Sequence, residues 1–332
     1  MSLIAYRDDK LIPAPQMATV IYDLSKLRGV NEDRLLKGTG IFVSDLKRVD
    51  TKFSPDQILR LLTNYRALMP GHNSAFLLGH RLFPTLNTSL NASLIHCGSL
   101  QHAFRVLALV RQQLCPFVHG YFHKHKDKGY FLLNDAIGCG DLYHYILEIY
   151  CTAFISACKT LVGKRIPFSF AFPFSRPRHI EEYEKNLGHR LRFDEPILSI
   201  NFDLRYLETE LAMPSRLLQR SAKQLLSKNN DLHYSFVEYV RNLIYFHNFN
   251  LTQTAEKLNM SPATLKRRLK QHDTSFQQLQ DGVNQQKAIF MLRVKSMKNE
   301  AVATQLAFND VTNFRRAFKR WTGVTPNQLR FS

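Results

Sequence analysis

Two sets of cations lie near the C-terminal end of this 332-residue chain: Lys266, Arg267, Arg268 and Lys270, then Arg315, Arg316, Lys319 and Arg320. Ammonium and guanidinium groups suit phosphate oxygens, and a guanidinium can bridge the two acceptors on a guanine edge. Beside them stand Ala263, Val311 and Thr312. An alanine or valine can meet a thymine methyl, and a threonine hydroxyl can bond either base type. The chemistry on offer is recognition of a nucleic-acid duplex. A merely solvated helix face would carry the same charges, so the weight falls on what positions them.

Ala255 and Leu258 lie three apart on one helical face, and Leu265 and Leu269 four apart on a second. Between them stands Asn259-Met260-Ser261-Pro262. Asn tolerates the left-handed backbone of a tight turn, Ser is a favoured N-cap, and Pro suits the first helical position. A helix therefore restarts at Pro262, apolar inside, with Lys266, Arg267, Arg268 and Lys270 expected outside. The pattern returns with Ala303, Leu306 and Phe308, 48 residues after Ala255, Leu258 and Met260. Past the turn Asp310 is extra, so Phe314, Arg316 and Phe318 take the places of Leu265, Arg267 and Leu269 at an offset of 49. Asp310 is the expected N-cap of this second helix. Between the copies, residues 276–294 continue a helical period through Leu279, Val283, Ala288 and Leu292. Such a strut spans roughly 28 Å, and major-groove faces recur every ~34–36 Å along one side of B-DNA. One chain could thus reach two adjacent grooves.

The last hundred residues resemble the AraC/XylS transcription regulators, whose two helix-turn-helix units are joined by one long helix. The carrying motifs are Ala255-x2-Leu258-x-Met260-Ser261-x3-Leu265-x-Arg267-x-Leu269 and the segment AFNDVTNFRRAFKRWTGVTPNQLR, residues 307–330. The resemblance implies groove-facing roles for Ala263, Lys266, Arg267, Val311, Thr312, Arg315 and Arg316, with Lys270 and Lys319 on the same cationic faces. Arg267 and Arg316 occupy equivalent places in the two copies, which suggests a shared structural or phosphate-clamping duty. Three positions depart from the family: Ala307 stands where Gly is usual, Ala263 where a larger base-reading side chain is common, and Asn284 where the strut often has Arg. The N-terminal region looks like the arabinose-binding-type domain of ornithine-, virulence- and catabolism-linked regulators, on residues 171–211 and Leu77-Leu78-Gly79. Activation through RNA polymerase, a small-molecule effector and homodimer formation are what the resemblance implies.

Composition agrees. The net charge is +18, which favours a polyanionic partner. Residues 231–332 hold 15 Lys and Arg against 7 Asp and Glu, and residues 215–230 hold 4 against none. The five cysteines, 97, 115, 139, 151 and 158, make no metal-ligand spacing and read as reduced thiols. No secretory pattern opens the chain and no uninterrupted apolar run of about 18 residues occurs. A cytoplasmic protein without a membrane span is expected.

Helical patterns cover 17–28, 31–37, 55–68 and 100–114, with Ser54 the N-cap before Pro55. Residues 117–135 read as a hairpin turning at residues 126–129, then 141–161 as a helix. IPFSFAFPF and PILSINFD supply strands around a short helix at 180–187. The expected fold is an α+β domain of helices plus a small antiparallel sheet (1–214), a basic linker (215–230), and an all-α double helix-turn-helix domain (231–332) with units at about 250–270 and 299–321.

His119, His123 and His125 with His96 and Cys97 could make a metal sensor; a polar strand face explains them more simply. The 24 phenylalanines are first of all core, and secondarily the lining of a pocket for an apolar effector. No hydrolase, zinc-protease, P-loop or dinucleotide motif is present, and Ser169, Ser175 and Asp203 lack a catalytic setting. No cofactor is expected. The expectation is a sequence-specific DNA-binding regulator and effector-responsive activator; the alternatives are an enzyme or metal-binding protein with an appended DNA-binding tail, and an effector-independent architectural binder.

Overall fold

The computed structural model describes residues 4–48, 50–84, 88–229 and 234–331. The chain enters through two short strands, β1 (Ile4–Ala5) and β2 (Ile12–Pro13), and β2 pairs antiparallel with β3 (Lys52–Phe53). Around them run α1 (Ala18–Leu27), α2 (Glu32–Leu36), α3 (Val43–Leu46), α4 (Pro55–Leu68), α5 (Ser74–Arg81), α6 (Thr88–Ile95) and α7 (Leu100–Leu114). Local chemistry fixes their starts. Asn31 accepts from the Arg34 N–H, Ser54 and Gln57 form a reciprocal capping box ahead of Pro55, and Ser99 accepts from the His102 N–H.

The hairpin is β4 (Val118–His125) and β5 (Lys128–Asp135), turned by Lys126 at φ 52°. With β6 (Ser169–Ala171), β7 (Leu191–Arg192) and β8 (Ser199–Asp203) it forms a five-stranded sheet in the order β4-β5-β8-β6-β7, antiparallel except for β6 and β7. The register sets Phe122 opposite Phe131 and Gly129 opposite Phe202. Successive strand residues point to opposite faces, so Phe122, Phe131, Ile200 and Phe202 share an inner face and Tyr121, His123 and Tyr130 an outer one.

The inner face packs on α7 and α8 (Tyr143–Val162), where Phe104 meets Phe131 at 5.2 Å and Phe154 at 5.7 Å between ring centroids. Helix α8 is long and apolar enough to cross a bilayer, yet Ile146, Leu147, Ile149, Cys151 and Ile155 are buried in the protein. Its close partner is α5, where a Cβ on Gly79 would sit 2.5 Å from the Ile149 carbonyl. Only a glycine lets those two helices approach so far. The short α9 (Ile180–Leu187) sits beside α8, its Tyr183 donating to the Glu148 carboxylate.

Within the stretch expected as a basic linker, 215–230, Arg216–Asn229 form a helix, α10, packed on α6. Its inner side buries Gln219 and Ala222, and Gln219 and Lys223 reach the His102 ring at 3.1 and 3.2 Å. Beyond it come β9 (Tyr234–Ser235), α11 (Phe236–His247), α12 (Leu251–Lys257), α13 (Pro262–Gln271), α14 (Phe276–Ile289), a π-helical turn (Phe290–Val294), α15 (Asn299–Gln305), α16 (Val311–Thr322) and α17 (Pro326–Phe331). One hydrophobic core runs from Ile12 to Leu211; two smaller ones follow, Phe236 to Val283 and Ala288 to Leu329. The architecture is the expected α+β part followed by a helical part, entered through the two-residue β9, which pairs with β1.

Candidate nucleic-acid interface

Each cationic helix is the second of a tight pair. Helix α12 is opened by a capping box between Asn250 and Gln253, and Leu258 ends it. Asn259 then takes φ 52°, Ser261 accepts from the Thr264 N–H at 3.1 Å, and Pro262 begins α13. In the second pair Ala307 occupies the left-handed turn at φ 58°, and Asp310 accepts from the Asn313 N–H at 2.7 Å to open α16. Each residue named in the sequence for turn and cap does that work. Ala255, Leu265 and Leu269 are fully buried in the first unit, and Ala303, Phe314 and Phe318 in the second. Their burial turns the opposite sides of α13 and α16 to water.

On α13, Ala263, Lys266, Arg267 and Lys270 are exposed; on α16, Thr312, Arg315, Arg316 and Lys319 are exposed and Val311 half-buried. Arg315 lies 3.8 Å from Glu300 and Arg320 3.3 Å from Asp281. Exposed pairs of this kind are weak and yield readily to a better anion. Among the described residues Lys266, Arg267, Lys270, Arg316 and Lys319 have no carboxylate partner. Arg268 corrects the sequence expectation that it projects to solvent. It follows Leu265 by three and precedes Leu269 by one, so it flanks the buried stripe, where it lies over the Tyr6 ring and donates to the Tyr6 hydroxyl.

The strut is α14 with its π-helical turn. It bridges the two smaller cores, with Val283 in one and Ala288 in the other. Asn284 is half-buried on it.

What the sequence did not reveal is how the helical part rests on the sheet. Tyr121 stacks on Tyr245 of α11 at 3.7 Å between ring centroids, and His123 packs on Phe290 at 4.3 Å. Asn134 donates to Gln286 at 3.3 Å. Ion pairs ring this contact: Arg111 with Glu238, Arg293 with Glu195, and Arg7 with Asp273 at 3.0 Å. The outer sheet face is therefore covered by α11, α14 and the π-helical turn. Pairs separated by a hundred or more residues leave no periodic trace in a sequence.

The histidines go separate ways. His123 bonds the Tyr245 hydroxyl at 3.0 Å, His96 the Met213 carbonyl at 2.9 Å, and burial holds His119 well below the usual imidazole range. Among the described residues no three of His, Cys, Asp and Glu are grouped to hold a metal ion. All five cysteines are free thiols, and burial raises the pKa of every one, that of Cys97 to about 11 and that of Cys115 to about 12. Ser175 donates to Asp194, and Asp203 caps a 3-10 turn by accepting from the Arg205 N–H.

Comparison with known proteins agrees with this geometry. Residues 29–211 match the family described as the arabinose-binding domain of AraC transcription regulator, N-terminal, and residues 254–331 match a helix-turn-helix domain family. The ornithine utilization regulator of Pseudomonas aeruginosa is 30% identical over 189 residues, 54% of this chain and 55% of that protein. An uncharacterized HTH-type transcriptional regulator of Mycobacterium tuberculosis is 33% identical over 144 residues, 42% of this chain and 38% of its own. The matches thus span about half the length of these relatives or less. The crystal structure of transcriptional regulator CdpR from Pseudomonas aeruginosa aligns over 94% of this chain and 97% of its own at 18% identity, with a TM-score of 0.43. With the first of these family matches spanning more than half its residues, the chain belongs to the AraC family of transcription regulators.

Proposed function

We propose that this protein is a sequence-specific DNA-binding transcription regulator, acting as an effector-responsive activator. One observation carries the reading: two like helix pairs each present a cationic helix, and Lys266, Arg267, Lys270, Arg316 and Lys319 are exposed there with no carboxylate partner among the described residues. Lys266, Arg267, Arg315 and Arg316 contact guanine edges and phosphates, Thr312 a base edge, and Ala263 and Val311 thymine methyls. Lys270 and Lys319 hold the backbone.

Residues 1–214 form the sensor and self-association part, 215–230 the connection and 231–332 the DNA-binding part. The separate cores support that division. The sensor acts by shifting the balance between arrangements in which the helical part is held on the sheet and free of it. Contact with RNA polymerase, homodimer formation and a cytoplasmic site of action follow from the family. Binding, and not catalysis, is the activity assigned.

The test is selection of genomic fragments by the full chain, then anisotropy titrations on a selected site and on random DNA. Lys266→Ala is expected to lose discrimination between them; equal loss on both would remove Lys266 from base reading. Absence of any selected fragment would defeat the proposal.

A further inference from the structure

We infer that the cavity enclosed by α7, α8 and the inner face of the sheet binds a neutral, mostly hydrocarbon molecule carrying one carbonyl head, of the size of a medium-chain acyl ketone. The inference rests on the effector-responsive reading above and names the ligand class for it.

The cavity holds about 490 Å³, within the range of small-molecule sites. Its walls include Phe104 and Leu107 of α7, Phe154 of α8, and Phe122, Phe131 and Leu133 of the sheet. Such a lining cannot satisfy the several hydroxyls of a sugar, each of which would lose its water without gaining a partner. A hydrocarbon body loses nothing there and leaves water behind.

Three of the lining residues carry buried polar atoms without a hydrogen-bond partner: Gln16, His119 and Tyr150. They are Gln16 Nε2, both ring nitrogens of His119, and Tyr150 Oη, which has only the Cys115 thiol beside it; all three residues are more than nine-tenths buried. Gln16 Nε2 and Tyr150 Oη can each donate to an acceptor oxygen, which is what a carbonyl supplies. The lining cation nearest the interior, Arg111, is already spent: it donates to the Val118 carbonyl at 3.1 Å and to Glu238. Arg105 and Lys124 are exposed to water. The donors left free are uncharged, so a carboxylate entering the cavity would find no free buried cation to offset its desolvation.

The site also has an exit for its signal. Phe104, Leu107 and Arg111 lie three and four residues apart on α7, hence on one face of it, and Arg111 holds Glu238 of α11. A ligand that displaces this face of α7 changes the grip on the DNA-binding part.

The experiment uses the full chain with decan-2-one as probe, and sodium decanoate and arabinose as comparisons, followed by calorimetric titration and thermal midpoint. Saturable binding of decan-2-one is expected, at least tenfold tighter than decanoate, with no binding of arabinose. Ala157→Phe, which fills the cavity from α8, should abolish binding, and Tyr150→Phe, which removes one oxygen, should weaken it roughly five- to tenfold. No saturable binding, decanoate equal to or tighter than the ketone, or binding unchanged in Tyr150→Phe would overturn the inference; that last variant decides alone if Ala157→Phe does not fold. DNA affinity is read in parallel. Ketone binding that leaves DNA affinity unchanged would uphold the site and sink the effector reading, whereas effector-independent loss of all DNA binding would sink the regulator.

Discussion

Arg111 and Glu238, 127 positions apart, join the cavity helix α7 to the first helix of the DNA-binding part. The Glu238 side chain is 5% exposed and that of Arg111 18%. Its second carboxylate oxygen, Oε2, has no hydrogen-bond partner. A buried pair of this kind contributes little beyond a well-packed apolar pair, but half of it alone is costly.

Arg111→Ala should therefore destabilise the full chain by about 3–5 kcal/mol, because it strands the Glu238 charge. The double variant Arg111→Met with Glu238→Leu should recover most of that loss. Urea denaturation of the three proteins checks it; a double variant no more stable than Arg111→Ala would mean the pair is not coupled.

Replacing Lys270 by Ala should weaken binding to all duplex DNA alike. The slope of log affinity against log salt should fall by about 1. Anisotropy titrations across a salt series give both quantities, and a sequence-dependent loss would move Lys270 into the base-reading set.

Ala307→Gly should stabilise the C-terminal part by roughly 0.5–1 kcal/mol. The residue sits at φ 58°, where its Cβ is crowded. A shift of the denaturation midpoint to lower urea would contradict this.

Burial pushes the Glu148 carboxyl up to about 7, although the Tyr183 hydroxyl opposes the shift. The folded state then holds a proton that the unfolded chain has released between about pH 4.5 and 7. Its contribution to stability is complete below the unfolded value and is lost as pH rises through 7. Glu148→Gln should flatten that decline and be the more stable protein at pH 8, by at most about 3 kcal/mol. Thermal midpoints from pH 5 to 8 test the sign.

Much of the recognition unit is local and so was written in the sequence. Asn259, Ser261, Pro262 and Asp310 act through their own backbone and the next turn, and the Leu265 and Leu269 stripe decides which side of α13 is wet. The hairpin and the helix start at Ser54 are legible for the same reason. Arg268 shows the limit: its position on the flank of the stripe is sequence-determined, but its partner Tyr6 is 262 residues away.

Tertiary structure alone decided three things. It made residues 216–229 a helix against α6, laid α11 and α14 over the outer sheet face, and left a cavity among phenylalanines that could as well have filled it. Periodicity reports which face of an element is apolar; it does not report which other element arrives to cover that face, or how completely.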